Sequence, residues 1–305
     1  MPTESHKSIL YRDFSKAKAR EFIDLAVPFL KELVNHATHA LVRCKGCASL
    51  DDALDLPLLA LYRQIIELTD AIQVLISECC PAAAIPLIRA DFEAFISMEY
   101  LLKDDCQYRN RSYAWIVCSF FKDLDIIKLL EPSSQEGIAF QTVLANDSVF
   151  SRITLPDQQM VTNNKEFVEN ILFNDPNLKD TVDEYKSMIN PRTKKGPNWY
   201  SLYQGPKSIY EMARNLDRAA WYKLIYSQWS AFCHAADARS FMKENFIRPI
   251  RTLDEMKYVT VITFALIMGA TRHVIGKIRP GESFEIWMTR EKIDERAKRI
   301  LSWGR

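Results

Sequence analysis

The chain has 305 residues, of which 48% are apolar and 26% are charged, and its formal net charge is +1. This is the composition of an ordinary soluble globular protein that is long enough to bury a sizeable core. The near-zero net charge excludes a whole-chain field that would attract nucleic acid or anionic membrane, and it leaves a local basic patch open. Glycine is scarce, with 8 residues, and β-branched runs are few, so helices are favoured over sheet.

The cysteines and the apolar segments bear on the compartment. The seven cysteines are Cys44, Cys47, Cys79, Cys80, Cys106, Cys118 and Cys233. An odd number, with three of them on apolar helical patterns, indicates reduced thiols in a cytoplasmic protein. Residues 1–20 are charged throughout, which is not typical of a signal peptide. The longest apolar run, 258–270, is short for a bilayer, so we expect a buried helix and no membrane partner.

Apolar residues recur with helical periodicity along most of the chain. In chain order, the predicted helices span 13–43 with a kink or interruption near Pro28, 57–78, 82–103, 107–130, 206–217, 218–244 and 253–277, followed by an amphipathic tail at 289–302. The region 131–200 is rich in proline and less regular, with short helical pieces at 165–173 and 178–188 and an exposed basic loop at 190–197. The sequence therefore predicts an all-α fold. We expect a single helical domain over 1–305, a bundle of about six to eight core helices with an irregular, loop-rich insertion at 131–200.

Two polar residues interrupt the apolar helix predicted at 82–103. Arg89 and Glu93 are four residues apart, so they lie on one side of that helix, and Tyr100 falls near the same side. A polar group inside an apolar stripe is costly unless it is paired. The pair therefore either forms a structural link between two helices or takes part in chemistry, and the sequence leaves both readings open.

The helix predicted at 218–244 carries a second polar series. Tyr226, Ser230 and His234 are spaced by four residues, and small residues surround His234 on its face. Such a face lets another backbone or a ligand approach closely. A Ser–His–carboxylate hydrolase is disfavoured, because the chain has no G-x-S-x-G turn. His234 is then either a hydrogen-bonded core histidine or an acid/base group.

The sequence supports a metal site less strongly than it supports the two polar helix faces. Glu67, Glu93 and His234 could converge as ligands do in helical di-metal proteins, but the chain has no E-x-x-H motif. Cys44 and Cys47 have the spacing of zinc ligands without a second matching pair. The usual glycine-rich phosphate loops are also absent. We predict no metal site and no cofactor, and keep a metal-dependent hydrolase as a third reading.

Aromatic residues recur in two segments: 108–113, where they stand beside arginines, and 198–203, which contains Trp199. Rings beside cations suit single-stranded nucleic acid or a nucleotide. The alternative is the rim of an ordinary amphipathic helix and loop.

The segment ISECCPAAAIPLIRADFEAFISMEYLL resembles the signature helix of a bacterial family classified only as a domain of unknown function. Members of that family carry R-x-x-x-E and a Tyr-Leu pair, then a tryptophan-containing loop and a helix with tyrosine, serine and histidine. The matching residues are Arg89, Glu93, Tyr100, Leu101, Trp199, Tyr226, Ser230 and His234. The resemblance covers about residues 55–130 and 198–245. That family is similar to the helical HEPN domains, which include dimeric RNases of phage defence and toxin systems.

The HEPN resemblance implies an RNA-binding or RNA-cleaving effector of bacterial phage defence that works as a homodimer. HEPN enzymes carry R-x(4–6)-H on one helix, whereas His234 has no arginine at that distance before it, so Arg89 would act from another helix. In this reading His234 is the general acid/base and Arg89 stabilises charge on the phosphate. Glu93 orients either Arg89 or His234. The residues expected to contact the substrate are Ser230, Tyr226, Tyr100 and Trp199. The alternative is a non-enzymatic module for a protein partner, in which Arg89, Glu93 and His234 form a structural network.

Overall fold

A computed structural model describes residues 12–49, 53–149, 156–227, 242–243, 246–247, 253 and 255–303. Across these residues the chain is helical apart from its connecting loops and two very short strands. The predicted all-α fold class is therefore confirmed.

The helices follow one another with short connections through most of the described chain. They are α1 (Arg12–Lys45), α2 (Leu56–Ser77), α3 (Pro81–Leu102), α4 (Asp105–Leu130), α5 (Gln135–Ala145), α6 (Gln158–Asn174), α7 (Lys179–Ser187), α8 (Ile209–Asn215), α9 (Ala219–Trp221), α10 (Met256–Ile278), α11 (Phe284–Arg290) and α12 (Ile293–Ser302). A 3₁₀ turn covers Trp199–Ser201, and a π-helical segment, Tyr222–Ser227, continues α9. Strands β1 (Met242–Lys243) and β2 (Phe246–Ile247) pair antiparallel, with Met242 opposite Ile247.

The chain divides into two compact units. The first comprises Met1–Leu50, Leu58–Lys103 and Ile209–Arg305, and the second comprises Asp51–Pro57 and Asp104–Ser208. A single domain over 1–305 with an insertion at 131–200 stays a prediction.

In the first unit, α3 and α1 pack along α10, which supplies much of the core. The Phe95 ring lies against α10 at Gly269, where an added Cβ would come within 2.7 Å of a ring carbon. Tyr62 of α2 is fully buried, and its hydroxyl contacts the Ala37 carbonyl at 3.2 Å and the Thr271 hydroxyl at 2.9 Å. These contacts join α1, α2 and α10 at a position where the sequence places a phenol in an apolar pattern.

Helix α10 passes the length and composition test for a membrane span, with a mean hydropathy of 1.5. However, 61% of its most apolar window is buried inside the protein, and the core helix of a soluble protein has the same properties. Among the described helices it is the one that passes this test.

In the second unit, α4, α6 and α7 enclose an apolar core that includes Val117, Val168 and Leu172. The Phe121 and Tyr185 rings stack on its edge with centroids 4.0 Å apart. Helix α4 begins where the Asp104 side chain accepts a hydrogen bond from the Cys106 amide, which satisfies a free amide of the first turn. Helix α5, which the sequence pattern did not predict, begins in the same way at Ser134.

The helix predicted at 218–244 is wrong in two places. Residues 222–227 are π-helical, so their side chains follow a wider turn than the spacing of an α-helix assumes. Residues 242–243 are extended and pair with 246–247. The remainder of that prediction, 228–241, lies outside the described residues. Helix α1 runs through Pro28 as one element.

Candidate functional site

Three of the predicted site residues come together in the first unit. Arg89 and Glu93 lie half-buried on α3, and Tyr226 lies half-buried at the end of the π-helical segment, which packs along α3. The Arg89 guanidinium carbon lies 4.2 Å from the centroid of the Tyr226 ring. This is a cation–π contact, in which the guanidinium lies over the face of the ring.

The Tyr226 ring belongs to a column of three tyrosines. Tyr222 stacks on Tyr226 with centroids 5.0 Å apart and an interplanar angle of 23°, and Tyr210 of α8 packs on Tyr222 at 5.1 Å. Arg89 therefore caps a column of amphipathic rings whose outermost member, Tyr210, is 36% exposed. Rings and a guanidinium in this order can contact a planar ligand and an anion at one place.

The charges of Arg89 and Glu93 both act on Tyr226. Burial raises the pKa of the Tyr226 phenol, and the negative charge of Glu93 raises it further, whereas the positive charge of Arg89 opposes that rise. The phenol therefore stays protonated at neutral pH and can donate a hydrogen bond. One cation, one carboxylate and one phenol thus share a half-buried position.

The other predicted site residues fall elsewhere. Ser230 and His234 lie outside the described residues. Tyr100 is buried in α3, with 6% of its surface exposed. Trp199 lies half-buried in the second unit, at the start of the 3₁₀ turn, and packs edge-on against Tyr200 at 5.8 Å.

A second charged cluster in the first unit escaped sequence analysis. The Arg218 guanidinium donates two hydrogen bonds to the Glu99 carboxylate, at 2.6 Å and 2.9 Å. The Glu99 side chain is 8% exposed and that of Arg218 is 35% exposed. His273 of α10 lies beside them, with Nε2 3.9 Å from a Glu99 oxygen. These residues come from α3, the α8–α9 turn and α10, so no local motif joins them, although Glu99 is the one charge in the apolar run FISMEYLL.

His273 is held within this cluster by an aromatic contact. Its ring stacks on Phe95 with centroids 5.8 Å apart. Its Nδ1 atom is buried and has no hydrogen-bond partner among the described residues. Burial lowers the pKa of His273, and the Glu99 charge partly opposes this shift. The ring is therefore neutral at pH 7, and one of its nitrogens can accept a proton.

Asp91 is a second residue that sequence analysis missed. It is completely buried in α3, between Arg89 and Glu93 in sequence, and neither carboxylate oxygen has a hydrogen-bond partner in the described part of the chain. Desolvation raises its pKa well above the ordinary value, so burial favours the uncharged acid. The sequence RADFE did not indicate that Asp91 is fully buried, because nothing in it distinguishes a buried charged residue from a half-buried one.

The described residues contain no group of three or more His, Cys, Asp or Glu side chains suited to a metal ion. Glu67, which the di-metal reading used, is exposed and pairs with Arg63 at 3.3 Å. Cys44 is buried and Cys47 is exposed, and the Arg279 guanidinium approaches the Cys47 sulfur at 3.0 Å. The six described cysteines are all free thiols.

The fold and the site define an all-α protein with an arginine–aromatic cluster on its third helix. The chain belongs to a family described as a family of unknown function (DUF5677), whose sequence profile matches residues 55–246. That range contains Arg89, Glu93, Tyr226 and the positions of Ser230 and His234. No curated protein and no solved structure matches the chain.

Proposed function

We propose that this protein is a HEPN-like bacterial effector that binds and cleaves RNA in the cytoplasm, in the context of phage defence. The observation that carries the proposal is the Arg89 guanidinium seated on the Tyr226 ring, at the end of a tyrosine column. A guanidinium that lies over a ring can bind phosphate oxygens through its N–H groups, while the rings beside it suit unpaired bases.

The proposed chemistry uses the 2′-hydroxyl of RNA as the nucleophile. A base removes the proton from that hydroxyl, its oxygen attacks the adjacent phosphorus, and an acid returns a proton to the leaving 5′-oxygen. His234 is assigned both proton transfers. Arg89 stabilises the extra negative charge that develops on the phosphate. Glu93, one turn away on α3, keeps the guanidinium oriented.

The HEPN assignment rests on the motifs of the chain. Arg89 on α3 supplies the cation that HEPN enzymes place four to six residues before their histidine. The order of Arg89, Glu93, Tyr226 and His234 matches the family of unknown function. The similarity of that family to HEPN domains, together with the all-α fold, supports this assignment. A homodimer belongs to the same proposal.

A second function is favoured by the contacts that tie α3 to the segment 209–227. Arg89 contacts Tyr226, and Glu99 of α3 binds Arg218 with two hydrogen bonds. Such links suit a non-enzymatic module that presents a rigid surface to a protein partner. In that case the polar residues of α3 act as structural connections.

Expression in bacterial cells separates the two functions. The wild-type chain is expected to arrest growth and fragment total RNA, and His234→Ala is expected to do neither at the same soluble level. His39→Ala is the matched control, because His39 is an exposed histidine of α1. A His39→Ala chain should act as the wild type does. Equal RNA fragmentation by wild type and His234→Ala would contradict the nuclease proposal.

A further inference from the structure

The second unit carries a cationic turn that the proposed catalytic residues do not use. Arg192, Lys194 and Lys195 lie in residues 190–196 and are all exposed. Within the described ranges, none of these three side chains forms an ion pair. Three cations in four residues create a local positive field in a chain whose net charge is only +1.

The turn has a defined backbone conformation. The Asn190 amide donates to the Lys195 carbonyl at 3.0 Å, and the Asn190 carbonyl accepts from the Lys194 amide at 2.8 Å. The Asn190 side-chain oxygen accepts from the amides of Arg192 and Thr193, at 2.9 Å and 3.1 Å. One asparagine therefore organises the whole turn. A turn that is already ordered loses little conformational entropy when a ligand binds.

The base of the turn is attached to the core of the second unit. Gly196 lies against the Tyr185 ring so closely that an added Cβ would clash with the phenol oxygen. Tyr185 is buried and stacks on Phe121. The contact of Gly196 with Tyr185 thus fixes the base of the turn that carries the three cations.

An aromatic side chain follows the cations. Trp199 lies three residues beyond Gly196 and is half-buried. Its indole can therefore present part of its surface to a base, and base–aromatic stacking accepts any unpaired base. Clustered cations followed within a few residues by an aromatic residue favour a nucleic acid over an acidic protein, which offers carboxylates but no bases.

We propose that the turn at 190–196, together with Trp199, binds the phosphate backbone of single-stranded RNA. This inference rests on the proposed function and extends it to the second unit, because it names the residues there that hold the RNA. Arg192, Lys194 and Lys195 contact phosphates, and Trp199 stacks on a base.

The test measures RNA affinity of the full chain as a function of salt. The probe is a fluorescent 2′-O-methyl uridine oligomer about 20 nucleotides long, longer than the span of one single-strand binding module. Its 2′-positions are blocked, so it binds without being cleaved through the 2′-hydroxyl. The test variant combines Arg192→Gln, Lys194→Gln and Lys195→Gln. The control variant combines Lys31→Gln, Lys298→Gln and Arg299→Gln, which removes the same charge from exposed positions of the first unit.

The slope of log affinity against log salt reports phosphate contacts. Each contact to a single strand contributes about 0.7 to that slope, so the test variant should lower it by about 2. The control variant should keep the wild-type slope. Trp199→Ala should weaken binding at every salt concentration while leaving the slope unchanged.

Each other outcome overturns the inference. Wild-type binding with an unchanged slope in the test variant would refute the role of the turn and leave the proposed function standing. Failure of the wild-type chain to bind the oligomer would refute both. Equal competition by polyglutamate, with the same dependence on the three cations, would assign the turn to an acidic protein.

Discussion

The Arg89 guanidinium carbon lies 4.2 Å from the centroid of the Tyr226 ring, so a cation of α3 lies over a ring of the π-helical segment. If Arg89 stabilises charge on a phosphate, Arg89→Ala should lower kcat/KM for RNA about 10²–10³-fold, as removal of one transition-state donor does in other enzymes. Arg89→Lys should recover little of the loss, because an ammonium neither stacks in the same way nor binds two phosphate oxygens.

The Tyr226 ring provides the control for that experiment. Tyr226→Phe keeps the ring beneath the guanidinium and should retain most activity, whereas Tyr226→Ala should not. Steady-state kinetics with a labelled RNA gives both values, and circular dichroism confirms that each variant is folded. Normal kcat/KM in a folded Arg89→Ala chain would remove Arg89 from the chemistry.

The Glu99–Arg218 pair predicts an asymmetric loss of stability. Arg218→Ala leaves the Glu99 carboxylate, which is 8% exposed, without its cation, and should lower the free energy of unfolding by about 3 kcal/mol. Glu99→Leu leaves Arg218, which is 35% exposed and can turn to solvent, so the loss should be smaller. Urea denaturation of both variants measures the difference. Equal losses in the two variants would mean that burial of the Glu99 carboxylate does not determine the loss in free energy of unfolding.

The double variant completes this test. Glu99→Leu combined with Arg218→Met replaces two charges by apolar side chains of similar size. It should be more stable than Arg218→Ala alone, because no buried charge is left unpaired. A double variant that is no more stable than Arg218→Ala would contradict this interpretation of the pair.

Asp91 predicts a loss of stability as pH rises. Its folded pKa is raised by burial, so the folded state holds a proton that the unfolded state has released, and the free energy of unfolding falls as pH rises above about 4. Asp91→Asn cannot release that proton. The free energy of unfolding of the variant should therefore rise relative to that of the wild type by about 1.4 kcal/mol per pH unit. This rise begins above about pH 4 and ends where the buried carboxyl of the folded wild type releases its proton. Urea denaturation at several pH values measures the gain, and parallel curves would show that Asp91 is charged in the folded protein.

His36 predicts the opposite dependence on pH. It stacks on Trp287 with centroids 3.6 Å apart, and burial, followed by the charge of Arg43, lowers its pKa to about 4. Its contribution to stability is present above the unfolded pKa and is lost as pH falls from 6.5 through about 4. His36→Phe keeps a ring against Trp287 without titrating, so its melting temperature should fall less over that range. His273, whose pKa is also lowered, should keep part of the wild-type dependence in the variant. The same acid sensitivity in both chains would rule out His36 as the titrating group.

The long helices were predicted closely from the sequence because their apolar periodicity is strong. The prediction of 57–78 corresponds to α2 at Leu56–Ser77, and 82–103 corresponds to α3 at Pro81–Leu102. Pro57 in the first turn marked the start of the first of these helices, and Pro81 marked the break before the second. The π-helical segment at 222–227 was not predictable in this way, because its residues follow a periodicity close to that of an α-helix.

The candidate site could be predicted only in part. Arg89, Glu93 and Tyr226 stood out because each is polar within an apolar stripe, and the structure brings these three together. The Glu99–Arg218–His273 cluster could not be found, since Glu99 lies more than a hundred positions before both Arg218 and His273. Trp199 was grouped with Tyr226 by order along the chain, but order alone does not show that it lies in the second unit.

The most direct test of the account is cleavage of a labelled RNA by the purified full chain. We predict fragments that end in 2′,3′-cyclic phosphate, no cleavage where the 2′-hydroxyl is replaced by hydrogen, and at least a 10²-fold lower rate for folded His234→Ala. The His39→Ala control should cleave as fast as wild type. Intact RNA after incubation with the wild-type chain, or equal rates for wild type and His234→Ala, would contradict the account.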